Sequence, residues 1–200
     1  MSTDDVARLK VTMNGVKPTV MRRIEVPVTI RLDRLHLVLQ AAIGWTNSHL
    51  YELSAGGARW GDPEFDDNDG PLDARKTRLS DVLDDVGTRT LRYLYDFGDG
   101  WDHTIKIEQV AAAMPGVTYP RLLEAVGRCP PEDVGGPWSY EEFLLAMADP
   151  GHERHAEFAE WIDATSFDPT IVDLETRARA VDGLATQWAR KPARNRKRRG

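Results

Sequence analysis

Cysteine is all but missing from this chain. Cys129 is the only one in 200 residues, which excludes an internal disulfide and any zinc site built from cysteines, and suits a reducing compartment. No apolar run approaches the roughly 20 residues needed to cross a bilayer. The start, Met1-Ser2-Thr3-Asp4-Asp5, is acidic and polar where a signal peptide would be basic and then apolar. A soluble, cytoplasmic protein without a membrane partner is the expectation. Also missing are a phosphate-binding loop, a dinucleotide fingerprint, a nucleophile elbow and a cysteine with a base beside it. A serine resolvase would need an N-terminal nucleophilic serine among arginines and a helix-turn-helix, and neither is evident.

What is present is a 41% hydrophobic chain with six tryptophans, enough to bury a sizeable core. Its net charge of −6 is unevenly spread. Residues 190–200 hold seven Lys or Arg and no acid, leaving 19 basic against 32 acidic groups, a balance of −13, in residues 1–189. The expected organisation is therefore one domain over residues 1–189 and a disordered basic tail over 190–200. Arg194, Arg196, Lys197, Arg198 and Arg199 in that tail suit weak, nonspecific contact with nucleic acid, while the acidic body repels phosphate backbones. A solvated end that only aids solubility is the competing reading.

Period-2 alternation predicts strands over Val6–Met13 and Val20–Val26, joined by a turn at Asn14-Gly15. Leu32, Leu35, Leu39, Ala42 and Ile43 recur at helical spacing and Gly44 supplies a stop, predicting a helix over 32–43 with His36 as a surface or boundary residue. His49–Leu53 reads as a strand turning at Gly56-Gly57 into Arg59-Trp60. Six carboxylates between Gly61 and Lys76 lack the spacing of a calcium loop and read as a solvated loop. Leu79–Val86 is a short helix closed by Gly87. Ser139 and Glu142 form a capping-box pattern opening a helix at Tyr140–Ala148. Two further helices are expected near 152–164 and 170–188. His152 and His155, three apart, lack the four-residue spacing of a metalloprotease pair.

The chemistry concentrates in Tyr95–Glu108, Y-D-F-G-D-G-W-D-H-T-I-K-I-E. Gly98-Asp99-Gly100 reads as a three-residue hairpin loop. That register would place Phe97 opposite Trp101, Tyr95 opposite His103 and Asp96 opposite Asp102, with His103 on an apolar face and two carboxylates repelling each other on the other. Downstream, C-P-P-E-D-V-G-G at 129–136 is conformationally restricted, and Glu132 and Asp133 at its apex are positioned to join the hairpin acids. His49, at a strand start after a tryptophan loop, is a further ligand candidate.

These motifs resemble the plasmid pRiA4b ORF-3-like family over about Val6–Leu174. They are L-K-V-T-M-N-G-V-K-P, L-H-L-V-L-Q-A-A-I-G-W, Y-D-F-G-D-G-W-D-H, C-P-P-E-D-V-G-G and D-P-G-H-E-R-H-A-E-F followed by F-D-P. The resemblance implies an α+β fold, an antiparallel sheet built from hairpins and packed against helices, with a helical C-terminal part. It supplies no established activity, although some members sit on plasmids or mobile elements. The family's polar motif residues fall on His49, Asp96, Asp99, His103, Glu132 and Asp133, and its aromatic ones on Trp45, Tyr95, Phe97, Trp101 and Tyr140. The chain departs from the pattern at Tyr51, where relatives often carry a second histidine, and at Met21, where tryptophan is usual. Two functions follow. One is a noncatalytic interaction module with a protein partner, associated with mobile elements or nucleic acid. The other is a metal-dependent hydrolase or nuclease whose Asp/His/Glu cluster holds magnesium, manganese or zinc. For Asp96 and His103 to share one ion, the ladder must bulge near Gly98–Trp101.

Overall fold

The computed structural model describes residues 2–63 and 70–189. The basic tail, and Glu64 to Asp69 of the acidic loop, lie outside the described residues. The elements are β1 (Asp5–Met13), β2 (Met21–Pro27), α1 (Leu32–Ile43), β3 (Tyr51–Ala55), β4 (Ala58–Gly61), β5 (Leu72–Asp73), α2 (Leu79–Val86), β6 (Thr90–Tyr95), β7 (Trp101–Ala112), β8 (Arg121–Val126), α3 (Gly136–Ala148), α4 (His155–Trp161) and α5 (Leu174–Ala189). The strands form one sheet in the order β5-β4-β3-β6-β7-β1-β2-β8. Every pairing is antiparallel except the short β4–β5 pair. The fold is α+β.

Alternation explains which side of the sheet is covered. Ala7, Leu9, Val11 and Met13 of β1 are buried together with Ile24 and Val26 of β2, Leu91 and Tyr93 of β6, and Ile105 and Ile107 of β7. The same apolar cluster includes Leu32, Leu35, Val38 and Leu39 of α1. Polar side chains between these positions pair across strands. Arg8 and Arg121 both reach Glu25, at 2.8 and 2.7 Å, and Arg23 reaches Glu108 at 2.9 Å and also meets Glu124. Gly44 closes α1 in the left-handed region, φ 115°, its N–H donating to Gln40 O.

Several sequence expectations change. The β6–β7 register is shifted by two: Tyr95 faces Trp101, Tyr93 faces His103 and Leu94 faces Asp102. An even shift preserves the faces, so His103 stays on the apolar side, but Asp96 and Asp102 no longer face each other. Asp102 instead pairs with Arg92 at 2.9 Å and accepts from Asn14 at 2.9 Å. The loop is longer than three residues because Asp96 leaves the ladder at φ 57° and its carbonyl accepts from Gly100 N at 2.7 Å. α3 starts at Gly136, with Pro137 in its first turn and no side-chain cap, so Ser139 and Glu142 lie within the helix. His36 is 3% exposed: it stacks on Tyr51 at 3.6 Å and contacts the Tyr93 hydroxyl and Asn47.

Candidate metal centre

Three loops meet at one end of β6. They are the Trp45–Leu50 segment leading into β3, the Asp96–Gly100 hairpin loop, and the 128–135 brace ahead of α3. Glu132 ties the first to the third. Its Oε2 accepts from Thr46 N at 2.8 Å and Thr46 Oγ1 at 2.5 Å, and its Oε1 accepts from the Tyr95 hydroxyl at 2.6 Å. That hydroxyl in turn accepts from Ser48 N at 2.9 Å and His49 N at 3.3 Å, and Trp45 Nε1 donates to Pro130 O at 3.1 Å. Burial opposes the charge on Glu132, yet the bonds from Thr46 and Tyr95 hold its pKa below the usual carboxylate value. Burial and the Glu132 carboxylate push the Tyr95 phenol well up.

The hairpin loop is latched to the brace by Asp99, whose Oδ2 accepts from Gly135 N at 3.1 Å. Asp96 closes the loop on itself through Oδ1, which accepts from Gly98 N at 2.9 Å and Asp99 N at 3.3 Å. Its other oxygen is turned elsewhere: Oδ2 lies 3.6 Å from His49 Nε2. Asp133 Oδ1 lies 2.9 Å from the same nitrogen. One donor atom from each of His49, Asp96 and Asp133 falls within 4.8 Å of the others. His49 Nε2 is buried yet makes no hydrogen bond, so the 2.9 Å approach of Asp133 is a close contact off the ring's N–H direction. Both aspartates are held at positive φ, 57° and 63°, a conformation that costs non-glycine residues on the order of 1 kcal/mol or more.

Of the sequence candidates, the structure brings together His49, Asp96 and Asp133, with Glu132 beside them as the group that fixes the loops. Asp99 is occupied as the latch. His103 is elsewhere. It is buried, its Nδ1 lies 3.1 Å from both Tyr93 O and Trp101 O, and its ring stands edge-on to Trp45. Two carbonyls require Nδ1 to carry the proton. The bulge that would bring His103 to Asp96 does not form, because β6 and β7 pair without a break through Tyr95 and Trp101. Trp45 and Tyr95 belong to the loop junction, whereas Trp101 and Tyr140 pack in the core 6.4 Å apart, with Tyr140 stacked on Phe143. Phe97 is exposed. His152 and His155 bind backbone separately, Nδ1 of one accepting from Arg154 N and Nδ1 of the other donating to Ala146 O. Thr46 and Ser48 were not singled out by sequence reading, although T-N-S directly after a tryptophan is a hydroxyl-rich turn signal.

Burial depresses the pKa of both His36 and His103 to about 4, against about 6.5 in an unfolded chain. Below 6.5 the unfolded state binds protons that the folded state refuses until about 4, so stability falls as pH falls through that window. The two rings together are expected to remove about 2 kcal/mol between pH 6.5 and 5.5. Urea unfolding at the two pH values checks this, and an unchanged midpoint would mean that the folded rings take up the protons.

An antiparallel sheet under helices, with acidic and imidazole groups gathered on loops at one strand end, defines an α+β protein with a loop-built candidate site. The chain belongs to the plasmid pRiA4b ORF-3-like family, whose model matches residues 5–176. It is 55% identical over 189 residues, 94% of this chain and 97% of the relative, to "Uncharacterized protein y4hQ" of Sinorhizobium fredii (strain NBRC 101917 / NGR234). It also resembles the crystal structure of the protein of unknown function MM3350 from Methanosarcina mazei Go1, with TM-score 0.78 and 30% identity over 87% of this chain and 98% of that one.

Proposed function

We propose that the protein binds a divalent metal ion through His49, Asp96 and Asp133, and that the bound ion supports hydrolysis. The supporting observation is the convergence of these three donors within 4.8 Å while the buried imidazole nitrogen makes no hydrogen bond. For metal–ligand bonds of about 2.1 Å, neighbouring ligand atoms sit roughly 3.0 Å apart in an octahedron and roughly 3.4 Å apart in a tetrahedron. The contacts of 2.9 and 3.6 Å from His49 Nε2 bracket that range. One imidazole with two carboxylates suits manganese or zinc better than calcium, which takes six or more oxygens. Three protein donors leave positions for water, and a metal lowers the pKa of such a water enough to make it a nucleophile near neutral pH. Glu132 is not counted as a ligand because both its oxygens are engaged.

Calorimetric titration with manganese and with zinc tests this. Saturable binding is expected, with Asp96→Asn and Asp133→Asn each weakening it by about 100-fold, since each removes a charged ligand. Absence of saturable heat in the unaltered chain, with no thermal shift, would remove the reading.

A second reading, the noncatalytic interaction module, is favoured by α3, where Trp138 is 90% exposed and Leu145, seven residues on, is 62% exposed. The association with mobile elements rests on the plasmid in the family's description. For the nucleic-acid part, a chain ending at residue 189 is expected to lose salt-sensitive retention on immobilised DNA, because the tail holds seven cations and the body is acidic. Equal retention of the two forms would assign any affinity to the body.

A further inference from the structure

We propose that a second site, which shares the brace with the candidate metal centre but none of its three donor residues, binds a small organic anion with an apolar body. A cavity of about 670 Å³ lies between the C-terminal end of α1, the brace and the segment leading into α5, a volume in the range of ligand pockets. Three arginines line it, Arg22, Arg128 and Arg177. Among the described residues none of the three forms an ion pair, although the body of the protein is acidic. Two acids also line the cavity, and neither forms an ion pair with the arginines, although Asp173, whose pKa the Thr176 bonds lower, also feels the charge of Arg177. Glu132 is held by Thr46 and Tyr95, and Asp173 accepts from Thr176 N at 2.9 Å and Thr176 Oγ1 at 2.5 Å.

The arginines are placed, not merely near. Arg22 is 1% exposed and fixed by backbone carbonyls. Arg128 lies 4.1 Å over the Phe167 ring, a cation–π contact that restrains its guanidinium. Arg177 lies against Gly44, where an added Cβ would come within 2.7 Å of Nη1. That lets its charge rest at the carbonyl end of α1. Burial lowers the Arg22 pKa, the neighbouring Cys129 opposes that, and the like charge of Arg177 adds to it, which places the two cations close together. The remaining wall is apolar and open at its mouth, where Trp161 is 44% and Ile171 64% exposed. A carboxylate or phosphate facing Arg177 and Arg128, joined to a flat hydrocarbon body against Trp161, Phe167 and Ile171, matches both halves.

The probes are 1-naphthoate, phenyl phosphate and the neutral 1-naphthamide, titrated calorimetrically in the presence of EDTA so that the outcome is separate from metal binding. At least one anion is expected to bind with a stoichiometry of one, and the amide at least about tenfold more weakly. Arg177→Gln is expected to weaken the anion by at least about tenfold while leaving the amide unchanged, with Arg177→Lys recovering part of the loss. Preference between naphthoate and phenyl phosphate identifies the head group. Failure of both anions to bind, equal affinity for acid and amide, or indifference to Arg177→Gln in a chain with unchanged circular dichroism would overturn the proposal.

Discussion

Arg22→Ala is expected to destabilise the protein by about 4 to 5 kcal/mol, among the largest effects available to a single substitution. Arg22 lies on β2 with the parity of Ile24 and Val26, so its side chain points into the apolar core. There its guanidinium collects five backbone carbonyls. Nε donates to Ala42 O at 2.7 Å, Nη1 to Met21 O, Val126 O and Gly127 O at 2.8, 2.9 and 3.1 Å, and Nη2 reaches Ile43 O at 3.4 Å. Ala42 and Ile43 end α1, where cations are favoured and four carbonyls lack helical partners. Val126 ends the edge strand β8 and Gly127 follows it. One side chain therefore joins helix, central sheet and edge. Truncation leaves both a void and unpaired carbonyls, each costing on the order of 1 kcal/mol or more. Lysine at this position carries three donors on a point charge and is expected to recover less than half of the loss. Guanidinium chloride unfolding of the three forms measures it, and a loss under about 1 kcal/mol for Arg22→Ala would show that water replaces the guanidinium.

Arg22 also shows where sequence reading stops. Strand β2 was legible from M-R-R-I-E-V, but alternation alone put an arginine on the buried face with no reason attached, because its partners are backbone carbonyls up to 105 residues away. Helix α1 was legible to the residue, since its apolar period and Gly44 agree. Strand β8 was not, because Arg121–Val126 follows a Tyr-Pro turn and carries no clean alternation. The hairpin face was readable and its register was not. Gly98 and Gly100 suggested a three-residue loop, while Asp96, a residue able to occupy the left-handed region and bond its own turn, extended it. That extension moves Asp96 out of the ladder and toward His49. The grouping with Asp133, which the restricted 129–136 segment pointed to, depends on a second left-handed aspartate 37 residues further on, and that torsion no local pattern signals.

Gly136→Ala is the second large effect, expected to cost about 4 kcal/mol and to disturb the proposed metal centre as well. Gly136 has φ +80°, and a Cβ there would lie 2.3 Å from Asp99 O and 3.2 Å from its carbonyl carbon. Both atoms are backbone, so no rotamer change relieves the contact. The same loop is held from the other side by Gly135 N on Asp99 Oδ2. A methyl group at 136 therefore pushes the hairpin loop away from the brace, separating Asp96 from Asp133, one on each side of the joint. Gly87→Ala is the control, because Gly87 has a similar φ of +67° with nothing within 4 Å of the added carbon. It bears only the backbone term, about 1 to 2 kcal/mol. If the joint positions the ligands, Gly136→Ala lowers manganese and zinc affinity by tenfold or more under conditions where the chain stays folded, whereas Gly87→Ala leaves affinity unchanged. Equal affinity in both variants would mean that Asp96 and His49 hold the ion without the brace, and Asp133→Asn would then be silent too.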